Sequence, residues 1–122
     1  LMTPYQVVAD PSRLGICYVN YGDVLARVDS TVTKRLSTAR VLYETSPVEY
    51  MYSLRCDERG NLYFITSASI YKITLDTRIM RVFKLKLDKN PISADICIIG
   101  KYLYVLHAVI ANEETILRIK CI

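Results

Sequence analysis

The sequence predicts an all-β fold built from a repeated unit of four short antiparallel strands. Three observations carry that prediction. Short β-branched and aromatic runs alternate with turn formers such as Asp10-Pro11-Ser12-Arg13 and Asp57-Glu58-Arg59-Gly60. Apolar and polar side chains alternate through Phe83-Lys84-Leu85-Lys86-Leu87, the two-residue period of a strand, with Phe83, Leu85 and Leu87 expected on one face. Similar runs return further along the chain at regular spacing. The 122 residues leave room for one domain, and 52% apolar content with a mean hydropathy of +0.20 supplies a core and argues against disorder. Ten tyrosines fit half-buried strands.

In chain order, Tyr5 to Ala9 reads as a strand, followed by the Asp10–Arg13 turn. Strands over Gly15–Asn20 and Val24–Asp29 flank a turn at Tyr21-Gly22-Asp23. Residues Val32 to Tyr43 hold a fourth strand at their start. The spacing of Val32, Leu36, Ala39 and Leu42 leaves a short amphipathic helix open for the rest. Thr45-Ser46-Pro47 separates this unit from the next. There Val48–Cys56, Asn61–Thr66, Ile70–Leu75 and Arg78–Leu87 are strands, joined at Asp57–Gly60, Ser67-Ala68-Ser69 and Asp76-Thr77. Asp at the first and Gly at the last position make Asp57–Gly60 the strongest turn. After Asp88–Pro91 come strands at Ile92–Ile99, Tyr102–Val109 and Thr115–Ile122, with turns at Gly100-Lys101 and Ala111–Glu114. The apolar run from Ile92 to Ala111 contains Asp95, Lys101, His107 and Gly100, so two strands around a turn explain it better than a membrane span.

Three units at about 5–46, 48–90 and 92–122 can be superposed. Leu25-Ala26-Arg27-Val28, Ile70-Tyr71-Lys72-Ile73 and Ile116-Leu117-Arg118-Ile119 share one order of apolar, apolar, basic and β-branched residues, 45 and 46 residues apart. Tyr18, Tyr63 and Tyr104 align on the second strands, and Ala9, Cys56 and Cys97 on the first. A period in the forties with four strands per unit is that of a β-propeller blade. Asp57-Glu58-Arg59-Gly60-Asn61-Leu62-Tyr63-Phe64, followed by Ile70-Tyr71-Lys72-Ile73, resembles propeller repeats of the NHL, SMP-30-like and YWTD-like kind. The resemblance is best over residues 48–87, partial over 92–122 and weak over 5–43; no WD dipeptide, kelch double glycine or YWTD tetrad accompanies it. It implies propeller-like units, incomplete as a closed ring, because two full units and a third without its outer strand fall short of four blades. A larger propeller, several copies in one ring, or an N-terminal strand completing the last unit would close it. The rival architecture is a single β-sandwich or barrel.

Few residues point to chemistry. The cysteines at 17, 56, 97 and 121 form no C-x-x-C pair and the chain has one histidine, so a structural zinc site is not expected. Buried free thiols in a reducing, intracellular compartment are the expectation, with Cys56 and Cys97 packed between units. His107 lies among apolar residues with no nucleophile or acid nearby in sequence. Asp10 and Asp57 open equivalent turns and are read as turn residues; the SMP-30-like resemblance implies the alternative of metal-binding acids. No phosphate loop, catalytic triad or nucleotide fingerprint is present, and no cofactor is expected. Leu1 precedes Met2, which reads as a carried-over residue or the cut end of a longer chain, and no secretory leader is visible.

The expected role is therefore a non-enzymatic interaction or scaffold module. The alternatives are a structural subunit of a particle or coat, and part of an SMP-30-like metal-dependent hydrolase. A net charge of +4 is too diffuse to point to nucleic acid. The partners expected are other protein chains, in a homo- or hetero-oligomer or as the remainder of a longer propeller. Basic residues cluster on two fourth strands: Lys34, Arg35 and Arg40 on the first, and Arg78, Arg81, Lys84, Lys86 and Lys89 on the second. Lysine on an outer edge blocks edge-to-edge pairing, or forms a basic rim that docks an acidic partner. The candidate contact residues are Arg78, Arg81, Lys84 and Lys86, with Ile116, Arg118 and Ile119 on a last strand whose edge a partner would cover.

Overall fold

A computed structural model of the chain describes residues 4–30, 39–85, 91–110 and 113–121. These residues form eleven strands and no helix: β1 (Gln6–Ala9), β2 (Ile16–Asn20), β3 (Val24–Asp29), β4 (Arg40–Glu44), β5 (Met51–Cys56), β6 (Leu62–Thr66), β7 (Ser69–Ile73), β8 (Ile79–Lys84), β9 (Ser93–Ile99), β10 (Tyr102–Ile110) and β11 (Glu113–Lys120). They pair as three antiparallel meanders, β1-β2-β3-β4, β5-β6-β7-β8 and β9-β10-β11. The architecture is all-β. It consists of three separate sheets rather than the two of a sandwich, and among the described residues they do not close into a barrel. β1 pairs with β2 inside its own sheet, so it does not complete the third. Among the described residues no helix is long and apolar enough to cross a membrane.

Most strands fall where pattern and turn chemistry place them. Gly15, Gly22, Gly60 and Gly100 all have positive φ, which marks them as turn pivots. Several expectations need correction. Residues 40–44 are strand rather than helix, because backbone pairing of Ala26 with Val41 and Leu25 with Tyr43 outweighs a helical spacing of apolar residues; the start of that segment lies outside the described residues. Glu113 and Glu114 are not turn residues. They open β11, opposite Ile110 and Ala108, with a bulge between those two positions. Phe83 and Leu85 do not share a face: β8 ends at Lys84, the Leu85 amide donates to the Ala68 carbonyl, and Val82 packs with Leu85 while Phe83 is exposed. Leu87 lies outside the described residues.

The core has two layers, and both need the middle sheet. Side chains alternate across a strand, so β6 faces two ways at once. Leu62 and Phe64 join Ile16, Tyr18 and Leu25 of the first sheet; Tyr63 and Ile65 join Ile96, Leu103 and Val105 of the third. All five residues of β6 are buried. Aromatic stacking reinforces the first layer, with Phe64 against Tyr71 and Tyr43 at centroid separations of 5.2 and 5.0 Å. The sheets meet along their first strands, β1 beside β5 and β5 beside β9.

Register gives a common ruler for the three sheets. Tyr18 pairs with Arg27, Tyr63 with Lys72 and Tyr104 with Arg118. On the first strands the same tyrosines pair with Val8, Arg55 and Cys97. Cys97 therefore stands level with Arg55, not with Cys56, which pairs with Leu62. A one-residue slip turns a side chain to the other face. Cys97 is accordingly exposed rather than packed between sheets.

Candidate functional site

Polar side chains stitch the first strands together. The Gln6 side chain both donates to the Leu54 carbonyl and accepts from the Leu54 amide, at 3.0 and 2.9 Å. It serves β5 as a short piece of neighbouring strand. Across the next junction, Arg55 donates to Asp95 at 3.0 Å and to Ser53, whose hydroxyl also donates to Asp95. Gln6, Ser53 and Asp95 occupy the same register level, two residues before the partners of Tyr18, Tyr63 and Tyr104.

The residues singled out for chemistry are held in structural roles. Asp10 accepts from the Ser12 amide and hydroxyl, from Arg13 and from the Tyr18 hydroxyl. Burial pushes its carboxyl up, but these bonds outweigh it and hold the group below the usual carboxylate value. Burial and Asp10 together push the Tyr18 phenol up to about 12. Asp57 accepts from the Arg59 and Asn61 amides, closing its own turn. Among the described residues no group of three or more His, Cys, Asp or Glu side chains could hold a metal ion. His107 is buried on β10, and among the described residues its Nδ1 has no hydrogen-bond partner. All four cysteines are free; burial, then the charges of Asp10 and Asp57, push the Cys56 thiol up to about 12.

The proposed contact residues fall on two different sheets. Arg78 sits in the β7–β8 turn, paired at 3.3 Å with Asp76, both well exposed. Arg81 and Lys84 are exposed on β8 opposite Tyr71 and Ser69. Arg40 is exposed on β4. Lys34, Arg35, Lys86 and Lys89 lie outside the described residues. On β11, Ile116 and Arg118 point outward, with the Arg118 guanidinium 4.8 Å from the Tyr102 ring centre. Ile119 points the other way and packs with the second core layer, so it does not share their surface.

Two features escape a reading of the sequence. The first is the outer face of the third sheet, where Ile99, Tyr102, Leu106 and Ile116 are exposed alongside Cys97. Strand alternation marks these residues as one face but does not say what covers it. The second is a cleft of about 610 Å³ between the β2–β3 turn and the approach to β5, lined by Tyr5, Tyr21, Asp23, Glu49 and Tyr50 among others. The Tyr5 and Tyr50 rings meet edge to face at 5.8 Å, and Tyr52 backs Tyr50 at 5.2 Å. Gly22 seats both rings: a Cβ there would lie 2.9 Å from Tyr50 and 3.0 Å from Tyr5. The Met51 amide donates to the Gly22 carbonyl at 2.8 Å, locking the turn to β5. Burial, the hydrogen bond with Tyr5 and nearby negative charge raise the Tyr50 phenol to about 12, so it stays neutral. These residues are scattered over the chain; the only sequence cue is the tyrosine beside each bordering turn.

Comparison with family models, curated proteins and solved structures found no match.

Proposed function

We propose that this chain is a non-catalytic interaction module, a stack of propeller-type units whose open end face receives a sheet from a second copy. The observation that carries this reading is Ile116. Counted from the paired tyrosines, Ile116 stands level with Leu25 and Ile70. Those two are 0% exposed, each covered by the following sheet, while Ile116 is 70% exposed. Leu106, opposite Ile116, stands level with fully buried Ile65. The third sheet thus repeats the face that its predecessors bury.

The opposite end of the stack offers the complementary face. Val7 stands level with Leu54 and Ile96, which are 0% and 2% exposed, yet Val7 is 61% exposed. Stacking the third sheet of one copy on the first sheet of another repeats the packing already used twice inside the chain. Two three-sheet chains supply six sheets, within the four to eight of closed propellers. Covering an aliphatic side chain of this size contributes about 1.5–3 kcal/mol.

Light scattering coupled to size exclusion tests the proposal. A dimer that dissociates on dilution is expected, and Ile116→Glu, a change at an exposed site, should give a folded monomer. A wild-type chain that stays monomeric at high concentration refutes self-assembly.

A further inference from the structure

We propose that the tyrosine-lined cleft is a binding site for a cationic side chain, the guanidinium of arginine or ammonium of lysine, presented by a partner protein. This inference is independent of the stacking proposal, since the cleft lies at the junction of the first two sheets. Three tyrosines, Tyr5, Tyr21 and Tyr50, contribute to its wall. Aromatic faces attract cations through their quadrupole. Asp23 and Glu49 add two carboxylates to the same lining, and no lysine or arginine lines it among the described residues. On a chain of net charge +4, this cleft is therefore a local site of the opposite character.

The two acids are differently placed. Glu49 accepts the Thr66 hydroxyl, which fixes its carboxylate against the second sheet. Asp23 is exposed, and its backbone is held by the Thr45 amide, which donates to the Asp23 carbonyl at 2.9 Å. Its turn is rigid on the other side too: the Gly22 amide donates to the buried Asn20 side chain at 2.7 Å. The cleft is thus a preformed pocket with one anchored and one solvent-facing carboxylate. A planar guanidinium can lie against a ring while bonding to a carboxylate, which makes arginine the better fit.

The test is a titration of ¹⁵N-labelled protein with acetyl-Gly-Arg-Gly-amide, and with the same peptide carrying uncharged citrulline in place of arginine. Saturable shifts at the Gly22, Asp23 and Tyr50 amides are expected with arginine and not with citrulline. Asp23→Asn should weaken binding about three- to tenfold, the range of one exposed cation contact. Glu58→Gln removes another exposed carboxylate, away from the cleft, and should change nothing. Equal shifts with both peptides, shifts that never saturate, or an Asp23→Asn variant that binds as wild type would each overturn the proposal.

Discussion

Asp10 shows how one side chain can organise a turn and a strand together. Its carboxylate gathers four hydrogen bonds from Ser12, Arg13 and Tyr18, and Arg13 also donates to the Tyr18 hydroxyl at 2.7 Å. A carboxyl held below its unfolded value of 3.8 stabilises the fold above that pH and loses the effect as pH falls through the folded value. Wild type should therefore be more stable than Asp10→Asn at pH 6, and the gap should narrow at pH 3. Urea midpoints at the two pH values check this; an unchanged gap contradicts it. The turn role of Asp10 is visible in the sequence, because Asp-Pro-Ser is turn chemistry. The reach to Tyr18 is not, since it needs β1 and β2 paired first.

At the level of elements, β6 and β8 differ most. Both read as strands, but β6 is buried throughout and β8 is largely exposed. Phe64→Ala should cost about 3–5 kcal/mol, because the cavity opens among Tyr43, Tyr71 and the first sheet. Phe83→Ala, at a 39% exposed position on β8, should cost a small fraction of that. Chemical denaturation of both variants compares them directly, and similar losses would count against the two-layer core. Strand positions were legible because Gly and Asp turns bracket them. Register was legible only in part. The aligned tyrosines Tyr18, Tyr63 and Tyr104 stand opposite the aligned basic residues Arg27, Lys72 and Arg118, but Cys97 was placed level with Cys56. Spacing along the chain does not reveal how many residues each first turn consumes, and β9–β10 has the shortest. The exposed basic residues of β8 were legible as surface, whereas the outer face of the third sheet was not. Alternation identifies a face, but only the presence or absence of the next sheet decides whether it is wet.

For the whole molecule, the two ends of the stack differ, so association should be head-to-tail and not about a two-fold axis through one face. A mixing experiment separates these. Val7→Glu and Ile116→Glu should each fail to dimerise alone, yet mixed together they should form a heterodimer through the one intact pair of faces. Pairing of two third-sheet faces would instead leave Val7→Glu dimeric on its own, which light scattering would detect. Gln6 adds a different consequence. A bare strand edge invites pairing with any passing chain, and β5 lies in the middle of the assembly with its Leu54 amide and carbonyl turned away from β6. By occupying both groups, the Gln6 amide acts as a plug against strand invasion. The junction between the first two sheets is thereby kept as a packing of faces, and cannot relax into one continuous, aggregation-prone ladder.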